Sequence, residues 1–163
     1  LDVSNFDTSN VTNMRDMFYY CSGLTELDVS NFNTSQVTNM NGMFEYCKKL
    51  TKLDLSNFDT SQVTDMGSMF SECNGLSSIG LSSFNTSNVT NMNYMFDSCE
   101  ELTTIYVSEK GWTTENVTSS NGMFSNSTKL VGGNGTKYSS SYKDKTYARI
   151  DTASTPGYFT KKN

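Results

Sequence analysis

Histidine is absent from this chain, and proline and tryptophan each occur once in its 163 residues. Without histidine, the commonest general base and a frequent metal ligand are missing, and no base stands beside the four cysteines to activate them. No apolar run is long enough to span a bilayer, and neither a signal-peptide pattern nor a sorting motif is present. Basic clusters are lacking too. The net charge of −5 is mild and dispersed, which argues against nucleic acid as a partner. Apolar residues make up only 35% of the chain, while Ser, Thr and Asn abound. Composition alone leans towards disorder; the order of the residues reverses that reading.

The chemistry returns every 26 positions. Leu1, Leu27, Leu53, Ile79 and Ile105 open the units, and Val3, Val29, Leu55, Leu81 and Val107 follow two residues later. Phe6, Phe32, Phe58 and Phe84 come next, then Val11, Val37, Val63 and Val89. Met-Phe pairs at 17–18, 43–44, 69–70 and 95–96 lead to Cys21, Cys47, Cys73 and Cys99. A fixed period of this length marks a stacked repeat, in which each unit touches its neighbours and none buries enough surface to fold alone. The chain reads as one module: a repeat array over 1–131 and a C-terminal cap over 132–163.

Within a unit, Leu24, Leu27 and Val29 alternate with Glu26, Asp28 and Ser30, the pattern of a short strand with one face buried. Val37, Met40, Phe44 and Cys47 are spaced three, four, three, which predicts a helix or a 3₁₀ segment. Asn31 to Gln36 between them is turn-forming. The expected fold is therefore an α/β repeat solenoid with a parallel strand ladder on one face and short helical segments on the other. The threonine columns Thr8, Thr34, Thr60, Thr86 and Thr12, Thr38, Thr64, Thr90 read as helix caps.

Leu24-Thr25-Glu26-Leu27-Asp28-Val29 and Leu50-Thr51-Lys52-Leu53-Asp54-Leu55 follow L-x-x-L-x-L, and the run V-T-x-M-x-x-M-F-x-x-C-x-x-L recurs four times. Over residues 1–130 the chain resembles the BspA-like class of bacterial surface leucine-rich repeats, in its 26-residue variant. The resemblance implies a right-handed coil, an extracellular setting on the bacterial cell surface or cell wall, and in some members adhesion to host or neighbouring cells.

The fifth unit departs from the pattern. Two extra residues precede Val117, Trp112 takes the Phe position, Ser120 replaces a Met and Ser127 replaces the Cys. Beyond Val131, the cluster Gly132-Gly133-Asn134-Gly135 is a turn, and 145–151 with 158–160, around Pro156-Gly157, read as the two strands of a β-hairpin cap over the last unit. Nothing in the chain caps the unit that begins at Leu1. The expectation is a piece of a longer protein, whose uncapped first unit (1–26) invites edge-to-edge pairing with a second copy.

Candidate chemistry is sparse. The cysteines, 26 apart, do not fit a metal site. Stacked one above another they stand at a spacing that permits a disulfide, but with side chains pointing the same way. A reduced ladder is favoured over pairing of adjacent units. Asp2, Asp28 and Asp54, continued by Gly80 and Tyr106, form a column on the exposed strand face, read as solvated rather than as a calcium site. Three Asn-Val-Thr triplets match a glycosylation pattern, as chance allows in so Asn- and Thr-rich a chain. The strand face is where a ligand is expected, with Glu26, Asp28, Lys52, Asp54 and Tyr106 as the binding residues and no cofactor, metal or catalytic group. The functional expectation is a non-catalytic adhesion module for an extracellular protein or glycan. Its rivals are a structural spacer that projects another domain and, least favoured, a hydrolase with paired carboxylates.

Overall fold

A computed structural model describes residues 1–162. Its regular structure consists of short parallel strands with almost no helix: β1 (Glu26–Leu27), β2 (Lys52–Leu53), β3 (Ser78–Leu81), β4 (Thr104–Val107) and β5 (Phe159–Lys161). β1 pairs with β2 in one sheet, and β3, β4 and β5 form a second. Partners are equivalent residues of successive units, Leu27 with Leu53 and Ile79 with Ile105. A further line of parallel bridges joins Asn13, Asn39, Asp65, Asn91 and Ser119. Identical chemistry thus lies on identical chemistry, as the period requires.

Columns of apolar side chains fill the interior. Phe18, Phe44, Phe70, Phe96 and Phe124 stack ring on ring, with centroids 5.7, 5.8, 5.6 and 5.7 Å apart and planes within 12° of parallel. Such pairs add ~0.5–1.5 kcal/mol each beyond the area they bury. Phe32, Phe58 and Phe84 are buried as well, but Phe6, their counterpart in the first unit, remains 49% exposed.

Neither the expected helix nor its 3₁₀ alternative forms. From Met40 to Leu50 the chain makes successive three-residue turns, Met43 N–H to Met40 O, Glu45 N–H to Gly42 O, Cys47 N–H to Phe44 O and Leu50 N–H to Cys47 O. The intervening amides point to the next unit: Met40, Gly42, Phe44 and Tyr46 donate to the carbonyls of Asp65, Gly67, Met69 and Ser71. Every fourth residue takes a left-handed backbone, Gly42 and Tyr46 here, Ser68 and Glu72 one unit on. Each such non-glycine residue costs roughly 1–2 kcal/mol, which the inter-unit bonds offset. A chain of turns returns side chains to one side every three to four residues, as a helix does, so apolar spacing cannot separate the two.

The threonine column is likewise no set of caps. Thr60 is fully buried; its hydroxyl donates to Asn85 O (2.9 Å) and accepts from Asn85 N–H (2.8 Å). Thr8 and Thr34 do the same with Asn33 and Asp59. A hydroxyl stands in for a peptide group where the backbones are too far apart to pair directly. In the outer column Thr38, Thr64 and Thr90 bond the carbonyl of the threonine one unit back.

The C-terminal segment corrects a third expectation. β5 does not fold back as a hairpin. It continues the sheet in parallel, with Ile105 against Phe159 and Tyr106 against Thr160. Of the expected partner strand, Lys145–Tyr147 is a 3₁₀ turn capped by Asp144, and Ile150 alone bridges to Phe159. Trp112 holds this cap: its indole N–H donates to Ala148 O (2.9 Å) and its ring meets Phe159 edge-on at 4.9 Å. Asp151 fastens the loop above, accepting from the amides of Asn134, Thr136 and Gly157 and from the Thr136 hydroxyl. Where the inserted loop of the fifth unit crosses the fourth, a Cβ on Gly111 would sit 2.2 Å from Phe84 O, so only glycine fits.

Candidate functional site

Strand alternation turns Ile79, Leu81, Ile105 and Val107 inward and Ser78, Gly80, Thr104 and Tyr106 outward. Among the described residues the strands fall into two sheets, and the ladder is interrupted between β2 and β3. At this seam Lys52, Asp54, Ser78, Gly80, Tyr106 and Lys162 line an open depression of ≈ 400 Å³. Gly80 makes the hollow: it stands in the column of Asp28, Asp54 and Tyr106, and nothing lies within 4 Å of where its Cβ would be. Tyr106, half-buried, forms one wall and Asp54 the other. A neighbouring hollow of ≈ 350 Å³ gathers Glu26, Asp28, Lys52 and Asp54 with Leu1.

The sequence-derived residues are thus brought to one face but not to one point. Lys52 and Asp54 border both hollows, Glu26 and Asp28 only the first, and Tyr106 only the seam. The aspartates also have a local task. Asp28 and Asp54 each accept the amide of the serine two residues on, both at 2.9 Å. Asp28 is held below the usual carboxylate range by the Ser30 hydroxyl and amide. Asp54 is held low by the Ser56 amide and hydroxyl, with the Lys162 charge adding to the effect. Both stay anionic and oriented, with one oxygen committed to the turn.

Lys162 escaped sequence reasoning. Its amide donates to Val107 O (2.9 Å), and its ammonium lies 5.7 Å from the Tyr106 ring centroid. The Lys161-Lys162 pair at the end of the last strand was the available signal, but a hairpin would have carried it elsewhere. Next to it Lys161 pairs with Glu109 at 2.8 Å.

The four cysteines are free. Cys47, Cys73 and Cys99 are buried, and each thiol donates to a carbonyl one unit back, Phe18, Phe44 and Phe70, at 3.0–3.3 Å. Ser127 makes the same bond to Phe96 O. Burial pushes the Cys47 and Cys99 thiols up to about 12 and Cys73 well above its ordinary value. These are hydrogen-bonding core groups without nucleophilic character. Among the described residues, no group of three His, Cys, Asp or Glu side chains is placed to hold a metal ion. No helix there is long and apolar enough to cross a membrane.

A family model described as "Mycoplasma protein of unknown function, DUF285" matches residues 1–101 and again 52–155. The chain belongs to this family. Its two matches begin at Leu1 and Lys52, the second one residue before Leu53, the position equivalent to Leu1 two units on. The family pattern therefore spans several units and is satisfied in two registers. No curated protein and no solved structure matches the chain.

Proposed function

We propose that this DUF285 chain is a non-catalytic binding module of a bacterial cell surface, a right-handed leucine-rich-repeat solenoid of the BspA-like type that adheres to protein or glycan outside the cell. The observation that carries this reading is the hollow at the β2–β3 seam. It sits on the strand face and offers an aromatic wall, a carboxylate held by its turn, two ammonium groups and a serine hydroxyl around one open space. Mixed polar groups beside an aromatic ring suit a hydroxyl-rich or peptide ligand.

The test is binding of the immobilised chain to a glycan array and to extracellular-matrix proteins. Retention that falls on Tyr106→Ala and Lys162→Ala, with unchanged melting, supports the reading. A second reading, a spacer that only projects another domain, is favoured by the aspartates being occupied in turns. It predicts no retention by the chain and no loss of the parent protein's adhesion in the same variants.

A further inference from the structure

The turn face carries a feature that the strand-face reading does not use. Tyr19 and Tyr20 stand 49% and 62% exposed. With Tyr46 from the next unit they form a three-ring cluster, centroids 5.6 to 6.1 Å apart, Tyr19 edge-on to Tyr46. Rings of this size are normally covered, and tyrosine is a preferred anchor at interfaces.

Four carboxylates, Asp16, Glu45, Glu72 and Asp97, gather along this face against two cations, Arg15 and Lys48. Burial raises the Glu45 carboxyl above its ordinary range, and Asp16, Glu72 and Asp97 push it further. Asp97 is raised in the same way, by burial first, with Glu72 adding to it.

The molecule already contains one example of what relieves this crowding. Lys48 lays its ammonium 5.3 Å from the Tyr46 ring centroid and 3.1 Å from Glu72, satisfying a ring face and a carboxylate at once. Arg15 pairs with Asp16 at 3.2 Å on the same face. Among the described residues no cation lies over the Tyr19 or Tyr20 ring, and Glu45 has no ion-pair partner.

We propose that the Tyr19–Tyr20–Tyr46 cluster and its flanking carboxylates form a docking surface for a lysine- or arginine-rich segment of a partner protein. Side-chain cations of the partner lie over the two outer rings as Lys48 lies over Tyr46, while Glu45 and Asp16 take the hydrogen bonds. The surface is independent of the strand-face hollow, on a different part of each unit.

The probe is a synthetic peptide of alternating Arg and Gly, titrated into the chain by fluorescence anisotropy, with a Glu-Gly peptide as control. The Arg peptide is expected to bind and the Glu peptide not. The double variant Tyr19→Ala/Tyr20→Ala should weaken binding roughly tenfold, the combined effect of two exposed cation–π contacts. Tyr19→Phe/Tyr20→Phe, which keeps the rings, should retain it, and Tyr106→Ala should leave it unchanged. Amide shifts on titration should centre on residues 16–20 and 45–46. Equal binding by the double alanine variant, or shifts spread over the acidic surface, would reduce the effect to bulk attraction and overturn the proposal. Absence of binding would overturn it as well.

Discussion

Replacing Thr60 by valine removes one hydroxyl and almost nothing else. The side chain is fully buried and nearly isosteric with valine, so packing is kept. What is lost is a bridge: Asn85 N–H loses its acceptor at 2.8 Å and Asn85 O its donor at 2.9 Å. Each unsatisfied buried group costs ~1–3 kcal/mol, carbonyls at the lower end. The expected loss is therefore about 2–4 kcal/mol. Thr60→Ser keeps the hydroxyl and gives up one methyl, worth about 1 kcal/mol. Valine should then be worse than serine, the reverse of the order that hydrophobic burial would give. Urea unfolding supplies the global figure, and hydrogen exchange at the Asn85 amide supplies the local one, since a repeat array can open unit by unit. Thr8→Val acts as an internal control. It breaks the same bridge to Asn33 at the open end, where fraying is easier, so its global cost should be smaller. A Thr60→Val protein within about 0.5 kcal/mol of the parent, or a serine variant less stable than the valine one, would refute the argument that hydroxyls stand in for peptide groups.

Further outcomes follow from the cysteine column and the cap. With the buried thiols pushed up to about 12 or beyond, a thiol reagent at neutral pH should label the half-buried Cys21 and spare the other three until denaturant is added. Cys73→Ser should be tolerated better than Cys73→Ala, because Ser127 already makes the equivalent bond; rapid labelling of two or more thiols in the folded protein would refute this. At Asp151, burial acts to raise the carboxyl, but the bonds from the Thr136 hydroxyl and amide and from the Asn134 and Gly157 amides outweigh it and hold the group below its ordinary value of 3.8. A lowered folded-state value means the stabilisation is complete above the unfolded value and is lost as pH falls through the folded one. The cap should thus loosen in acid, below about pH 4. Asp151→Asn should loosen it already at neutral pH by roughly 1.5–3 kcal/mol, read from Trp112 fluorescence. An unchanged acid midpoint in that variant would count against the assignment.

The strand face was legible because its signal is local. Leu27, Leu53, Ile79 and Ile105 alternate with polar residues at a period that only extended chain produces, and they are the residues that pair. The turn segment was misread because Met40, Phe44 and Cys47 satisfy two backbones equally well. The discriminating facts, left-handed Tyr46 and amides aimed at the next unit, concern atoms on which the apolar pattern is silent. Of the residues lining the seam hollow, Lys52, Asp54 and Tyr106 were among those expected on the strand face. The Gly80 hollow, the split between β2 and β3, and Lys162 were not, since each depends on how neighbouring units and the chain end are set against one another.

The amino-acid order alone determined that equivalent residues must lie together: a period of 26 with few apolar side chains leaves stacking as the way to bury them. It also determined which residues face inward on the strands and that the cysteines serve the core. Tertiary structure decided where the backbone hydrogen bonds go. In a helix they close within a segment and local sequence can encode them. Here half of those in the turn segment, the threonine bridges and the parallel docking of β5 close between residues some 25 to 55 positions apart. A bond of that kind has no local signature, because its partner is chosen by the stacking and not by the neighbours in the chain.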